Sequence, residues 1–151
     1  MIIEYRPEGT EPERLDAGRL RTSEIQIIER TADATWSDVR AGLRQGDVGA
    51  MRVVALVIKK RTQPALKLSE FDPWEDELRV LLDAKETRAY AEGLFEKYGD
   101  NPEDLADAFA ELRDVTADPE ACEAAITDVT APKDPAPAPA PEETTAPSAT
   151  A

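Results

Sequence analysis

The residues that could do chemistry in this chain are almost all carboxylates. There are 32 Asp and Glu against 18 Lys and Arg, and there is no histidine. Without an imidazole the commonest general base and transition-metal ligand are missing, together with the serine and cysteine triads built on it. What is left is acid–base work by paired carboxylates, calcium binding by clustered oxygens, or binding without chemistry. The stretch "DNPEDLADAFAE" places Asp100, Asp104 and Glu111 at the first, fifth and twelfth positions of a calcium loop. Leu105, however, stands at the sixth position, where the sharp turn needs glycine, and Pro102 stands at the third. The pairs Glu75/Asp76 and Asp104/Asp107 could share protons, yet nothing in their spacing separates a site from a solvated face. "RQGDVGA" lacks the Lys-Ser/Thr ending of a phosphate loop. The single Cys122, in "DPEACEAAITDV", has no partner for an intramolecular disulfide and reads as a small apolar residue. No catalytic, cofactor-binding or metal-ligating residue is singled out, and no cofactor is expected.

The more informative side chains are apolar. Leu66, Leu68, Phe71 and Trp74 fall together in "ALKLSEFDPW", between an apolar segment and a long acidic one, and form the candidate partner-binding set. Phe71 and Trp74 flank an expected helix start; they read either as a staple holding that helix or as anchors for a partner. Trp36, on an apolar stripe, reads as core.

The elements that must carry these residues follow from periodicity. In "GDVGAMRVVALVIKKR", counting from Ala50, apolar residues recur at Val53, Val54, Val57 and Ile58, the stripe of a buried helix. Asp47 can cap its start, Lys59, Lys60 and Arg61 suit its negative end, and Pro64 stops it, so a central helix over 48–61 is expected, with a buried strand as the alternative. Two shorter amphipathic helices precede it. One carries Ile25, Ile28 and Ala32 behind a Ser23/Gln26 box; the other carries Trp36, Val39 and Leu43 behind Thr35/Asp38 and closes at Gly46. Asp72-Pro73-Glu75, Asn101-Pro102-Asp104 and Asp118-Pro119 each combine a cap with proline at the first helical position, which predicts successive acidic helices. The opening "MIIEYRP" reads as a short strand or arm, and "EGTEPERLDAGRLR" as a polar connection. The expected fold is all-α: an N-terminal arm over 1–22, a helical domain over 23–130, and a tail over 131–151.

That tail, "APKDPAPAPAPEETTAPSATA", holds half of the 12 prolines and no large apolar residue, a composition that reads as disordered. Formal net charge is −14, and the excess lies in 69–128, with 19 acidic against 5 basic residues. A nucleic-acid binder needs a basic face, and the only local cluster is Lys59, Lys60, Arg61 and Lys67, so no nucleic acid is expected as a partner. The run from Val48 to Ile58 is far short of the roughly 20 residues of a membrane span, and the N-terminus does not read as a signal peptide. No membrane is expected as a partner, and the cytoplasm is the expected location.

The order of these pieces resembles one family. "SEIQIIERTADATWSDVRAGLRQGDVGAMRVVALVIKKRTQPALKLSEFD", Ser23 to Asp72, resembles the tail assembly chaperones of long-tailed, siphovirus-type phages of actinobacteria. These share an acidic-then-apolar helix ending near "IER", an aromatic residue before a short helix, a "GD" turn, an apolar helix closing on basic residues and a "P-x-L" segment before acidic helices. The likeness covers a third of the chain, and "TADATW" lacks the glycine often seen at that turn. It implies a non-enzymatic protein of the bacterial host cytoplasm, absent from the mature virion, that binds the tape measure protein and keeps it soluble while the tail tube grows. The major tail protein and a frameshifted longer form of the chain itself are implied as further partners. The alternative from another class is a small acidic helical adaptor or regulator that binds a basic protein; an enzyme using carboxylates alone is a third.

The resemblance generates a first prediction. "APK", Ala131 to Lys133, can be encoded GCC CCA AAG, which holds the slip-compatible heptamer C CCA AAG at the point where the tail begins. A longer product sharing this N-terminus is expected by mass spectrometry; codons that break the heptamer, or a single product, would exclude slippage here.

Overall fold

Asp47 accepts the Ala50 N–H at 2.8 Å, Gly46 ends the preceding helix with φ 76°, and between these two signals the chain turns sharply into its most apolar segment. The computed structural model describes residues 1–132. In it this segment is a helix, α3 (Val48–Lys59), with every residue from Val53 to Lys59 buried. A helix buried all round needs cover on all sides. Helices α1 (Thr22–Ala32) and α2 (Trp36–Gln45) pack against it, and a sheet supplies the rest.

That sheet corrects the all-α expectation. Strands β1 (Ile2–Tyr5), β2 (Glu13–Asp16) and β3 (Leu78–Leu81) form an antiparallel sheet in the order β2-β1-β3. Ile3 lies between Leu15 and Val80, so one face is apolar and meets α3. The opening residues are thus a strand in the first core, and the expected polar connection contains β2. On the opposite face Glu4, opposite Arg14 and Arg79, is 2 % exposed and paired with Arg6 at 2.8 Å, Arg79 at 2.9 Å and Arg14 at 3.6 Å. Burial alone would raise the Glu4 pKa; Arg79 and then Arg6 outweigh it and hold the carboxyl below its ordinary value.

The helix expected from Asp72 does not form there. Glu75–Glu77 make one 3-10 turn, β3 follows, and the helix α4 (Ala84–Tyr98) starts at Asp83, whose side chain accepts the Glu86 N–H at 2.9 Å while Glu86 accepts the Asp83 N–H at 3.1 Å. The cap-and-proline signal is local; the ladder that converts "LRVL" to strand comes from the chain's first residues. The other two starts behave as expected. Asn101 and Asp118 cap α5 (Pro102–Val115) and α6 (Pro119–Thr130), each with proline in the first turn. These helices close a second core with α4 around Ala91, Phe109, Leu112, Cys122 and Ala125. Leu82 joins it to the sheet: its N–H donates to the Val115 carbonyl at 2.8 Å and its carbonyl accepts the Ala117 N–H at 2.9 Å. The hydroxyls of Thr87 and Thr116 meet at 3.0 Å beneath this junction.

No helix of the described residues is long and apolar enough to cross a membrane. The tail expected beyond Ala131 falls, from residue 133 on, outside the described residues.

The basic end of α3 holds the first core shut. Helix α3 stops at Lys59, two residues earlier than expected, where the turn tightens to an Arg61 N–H to Ile58 carbonyl bond. Arg61 then reaches the start of α1 and donates to both carboxylate oxygens of Glu24, at 2.6 and 2.7 Å, and to the Arg19 carbonyl at 2.9 Å. Lys59, which is buried, pairs with Glu13 of β2. Hydrogen bonds from Arg61 hold the Glu24 carboxyl at about 2, against an ordinary value of 4.5. A depressed carboxylate contributes its stability above the unfolded value and loses it as pH falls towards the folded one. Glu24→Gln is therefore expected to cost on the order of 2–3 kcal/mol at neutral pH. In urea titrations the gap between wild type and variant should shrink steadily from about pH 5 down to pH 2; a constant gap would mean the ion pair contributes nothing to stability.

Candidate partner-binding site

The four residues singled out by sequence are separated by the structure. They lie in the connection from α3 to the 3-10 turn, which forms turns and no strand. Arg52 of α3 fastens this connection: its guanidinium donates to the Phe71 and Leu68 carbonyls, both at 2.8 Å, and lies 3.3 Å from the Asp72 carboxylate. Phe71 is 4 % exposed and packs edge-to-face on Tyr5, with ring centroids 5.3 Å apart at 77°. The Lys59 ammonium sits 5.2 Å from the Tyr5 ring and 5.9 Å from that of Phe71. Burial, reinforced by Glu77 and Glu13, pushes the Tyr5 phenol above its ordinary value. Phe71 is thus a core residue. Leu66 is half-buried against the same core, Leu68 is partly exposed, and Trp74 is 76 % exposed.

Next in sequence to this exposed aromatic, Glu75 belongs to the rim of a groove that sequence reasoning missed. Leu43 of α2 and Val48 and Met51 of α3 form one wall, and Leu78, Val80 and Leu82 of the β3 segment form another, around a volume of about 470 Å³. Tyr90 of α4, 58 % exposed, and Val115, at the end of α5, stand at its mouth. Arg44, Glu75 and Arg79 supply its polar rim. Glu75 begins the turn that Trp74 caps. No sequence signal joins these residues, because the groove lies between the two cores and the spacing of each element encodes only its own core.

Among the described residues the acidic segments do not gather into an ion site. Asn101 caps α5, Pro102 begins it and Glu111 lies within it, so the twelve residues from Asp100 enter a helix where a calcium site needs a loop. Among the described residues no group of three or more Cys, Asp or Glu side chains could hold a metal ion. Cys122 is fully buried, and burial raises its thiol pKa, which suits packing better than reactivity. No family model, curated protein or solved structure matches the chain.

The separation of Phe71 from Trp74 can be measured. Phe71→Ala should cost about 3–4 kcal/mol through a cavity beneath Tyr5, whereas Trp74→Ala should stay within about 0.5 kcal/mol of wild type. Chemical denaturation of the two single variants checks this; equal losses would mean that Trp74 also packs.

Proposed function

We propose that this chain is a tail assembly chaperone: a protein that works by binding, without catalysis, and keeps a tape measure protein soluble in the host cytoplasm until the tail tube encloses it. The observation that carries the reading is the apolar groove with Tyr90 in its lining and with the exposed Trp74 next in sequence to Glu75 of its rim, two large and well-exposed aromatics on a small, strongly charged domain. Exposed aromatic surface beside an apolar groove marks a contact surface, and aromatics supply most anchors in protein interfaces. A tape measure protein is a long helical chain with apolar stripes that aggregate when uncovered. A binder carrying a net charge of −14 keeps such a complex soluble and apart from its neighbours. The resemblance of Ser23 to Asp72 to these chaperones points the same way, as does the helical composition of the domain.

A second reading is favoured by the charge itself. Glu75 and Asp76 are exposed and make no ion pair among the described residues, which suits an acidic adaptor for a basic protein.

Sequencing the flanking DNA and co-expressing the two products tests both readings. A very long, helix-rich reading frame just downstream is expected, with its product insoluble alone and soluble beside this chain. Trp74→Ala with Tyr90→Ala should return most of it to the pellet. Solubility that is the same with and without this chain would refute the chaperone reading, and capture of a basic partner that is released by moderate salt would favour the adaptor.

A further inference from the structure

The free edge of β3 has the chemistry to recognise a backbone. The Arg6 N–H donates to the Glu77 carbonyl at 2.8 Å, and Ile2, Glu4 and Tyr5 stand opposite Leu81, Arg79 and Leu78. In an antiparallel ladder bonded pairs alternate, so Glu77, Arg79 and Leu81 turn their backbone groups towards β1, and Leu78, Val80 and Leu82 turn theirs outward, the Leu78 N–H being held by the Glu75 carbonyl of the 3-10 turn. The outward groups of Leu82 are already taken by the Val115 carbonyl and the Ala117 N–H, in a parallel bridge. The chain thus adds three of its own residues, Val115 to Ala117, as the start of a fourth strand. Behind Val115 the chain is helix α5, so the bridge does not extend alongside Val80 and the Leu78 carbonyl, and the apolar groove runs along that line. From Leu78 to Leu82 this edge spans about 13 Å.

We propose that the outer edge of β3 is a strand-addition site for an extended segment of a partner protein, apolar at alternate positions and cationic where it passes Glu75 and Asp76. Its backbone pairs with both groups of Val80 and with the Leu78 carbonyl, and its apolar side chains enter the groove against Val48, Met51 and Tyr90. Backbone pairing selects an extended occupant, because a helix has no free amides along its side. Charge sets the polarity along the site: Glu75, with Asp76 next to it, is exposed at one end without an ion-pair partner among the described residues and favours a cation there, while Arg44, equally exposed and unpaired on the rim, disfavours one farther along. It also disfavours a second copy, since edge-to-edge pairing would bring together two chains of net charge −14. The inference does not rest on the tail-assembly reading; under that reading, the segment held here would be an extended stretch of the tape measure protein outside its helices.

The test is a nuclear magnetic resonance titration of the isotope-labelled full chain with a short capped peptide of alternating Val and Thr, with lysine at each end. Amides of Leu78, Val80, Val48 and Tyr90 are expected to shift. N-methylation of alternate peptide amides should weaken binding by about tenfold or more in one frame and hardly at all in the other, because only one frame faces the edge. Val80→Pro removes an outward N–H and leaves the Arg79 and Leu81 bonds to β1 in place, so it should retain its thermal transition and lose the peptide. Tyr90→Ala, and Glu75→Gln with Asp76→Asn, read the groove and the acidic end without touching the strand, and each should weaken binding severalfold. Equal binding by both methylated frames, a gain of helical circular dichroism on binding, or no shift at β3 at millimolar peptide would each overturn the proposal. So would concentration-dependent dimerisation through this edge that the peptide does not compete with.

Discussion

Helix α3 is apolar around most of its circumference, and a single helix layer can cover only one side of such a cylinder. Helices α1 and α2 take one side, and the three-stranded sheet takes another. Each buried Val, Leu or Ile contributes about 1.5–3 kcal/mol, and that gain is realised only when both layers are in place. Covering α3 is therefore the constraint from which the first half of the fold follows. It explains why the chain's first residues and residues 78–81 meet: a sheet wide enough to cover α3 needs a strand from beyond it in sequence.

The charged residues around α3 act as fasteners for this arrangement. Arg61 binds the start of α1, Lys59 binds β2, and Arg52 binds the connection that leads to β3. Arg52 and Lys59 leave α3 itself and Arg61 the turn that ends it, and each secures a different part of the fold. Their energy comes from geometry and from the shielding around them, since exposed pairs of the same residues contribute little. Glu4 plays the corresponding part on the outer face of the sheet, where three arginines converge on one buried carboxylate and tie β1 to both of its neighbours.

Much of the first core was legible in the sequence because its signals are local. The Asp47 cap, the Gly46 stop, the Thr35/Asp38 pair and the stripe from Val53 to Ile58 sit within a few residues of what they determine. The caps at Asn101 and Asp118 were legible for the same reason. The start of α1 was read at Ser23, but Glu24 instead caps the Arg21 N–H while holding Arg61, a choice set by a residue far along the chain. The strands were harder still. "LRVL" is too short to show a period, and its identity depends on "IIEY" being available as a partner. The candidate site was read on composition, as an aromatic-rich segment, whereas exposure is a tertiary property. Phe71 turned inward to Tyr5 and Trp74 did not, and nothing in "EFDPWE" distinguishes them.

The two sheet edges show how the fold tolerates an open ladder. Along β2 the charged residues Glu13, Arg14 and Asp16 surround a single buried Leu15, and such an edge does not invite another strand. Along β3 the open edge is carried by Val80 and the Leu78 carbonyl, and protection comes from elsewhere: the strand is short, Val115 to Ala117 occupy one end, and at the other the Glu75 carbonyl takes the Leu78 N–H beside the exposed side chains of Glu75 and Asp76. These devices leave a gap only a few residues long between a steric stop and an acidic end. A flat edge of the same composition without them would pair with any strand it met, including its own copy. Short length and a fixed charge at one end restrict what can pair to a segment of matching size and sign, so what keeps this edge from aggregating also confers on it a capacity for selection.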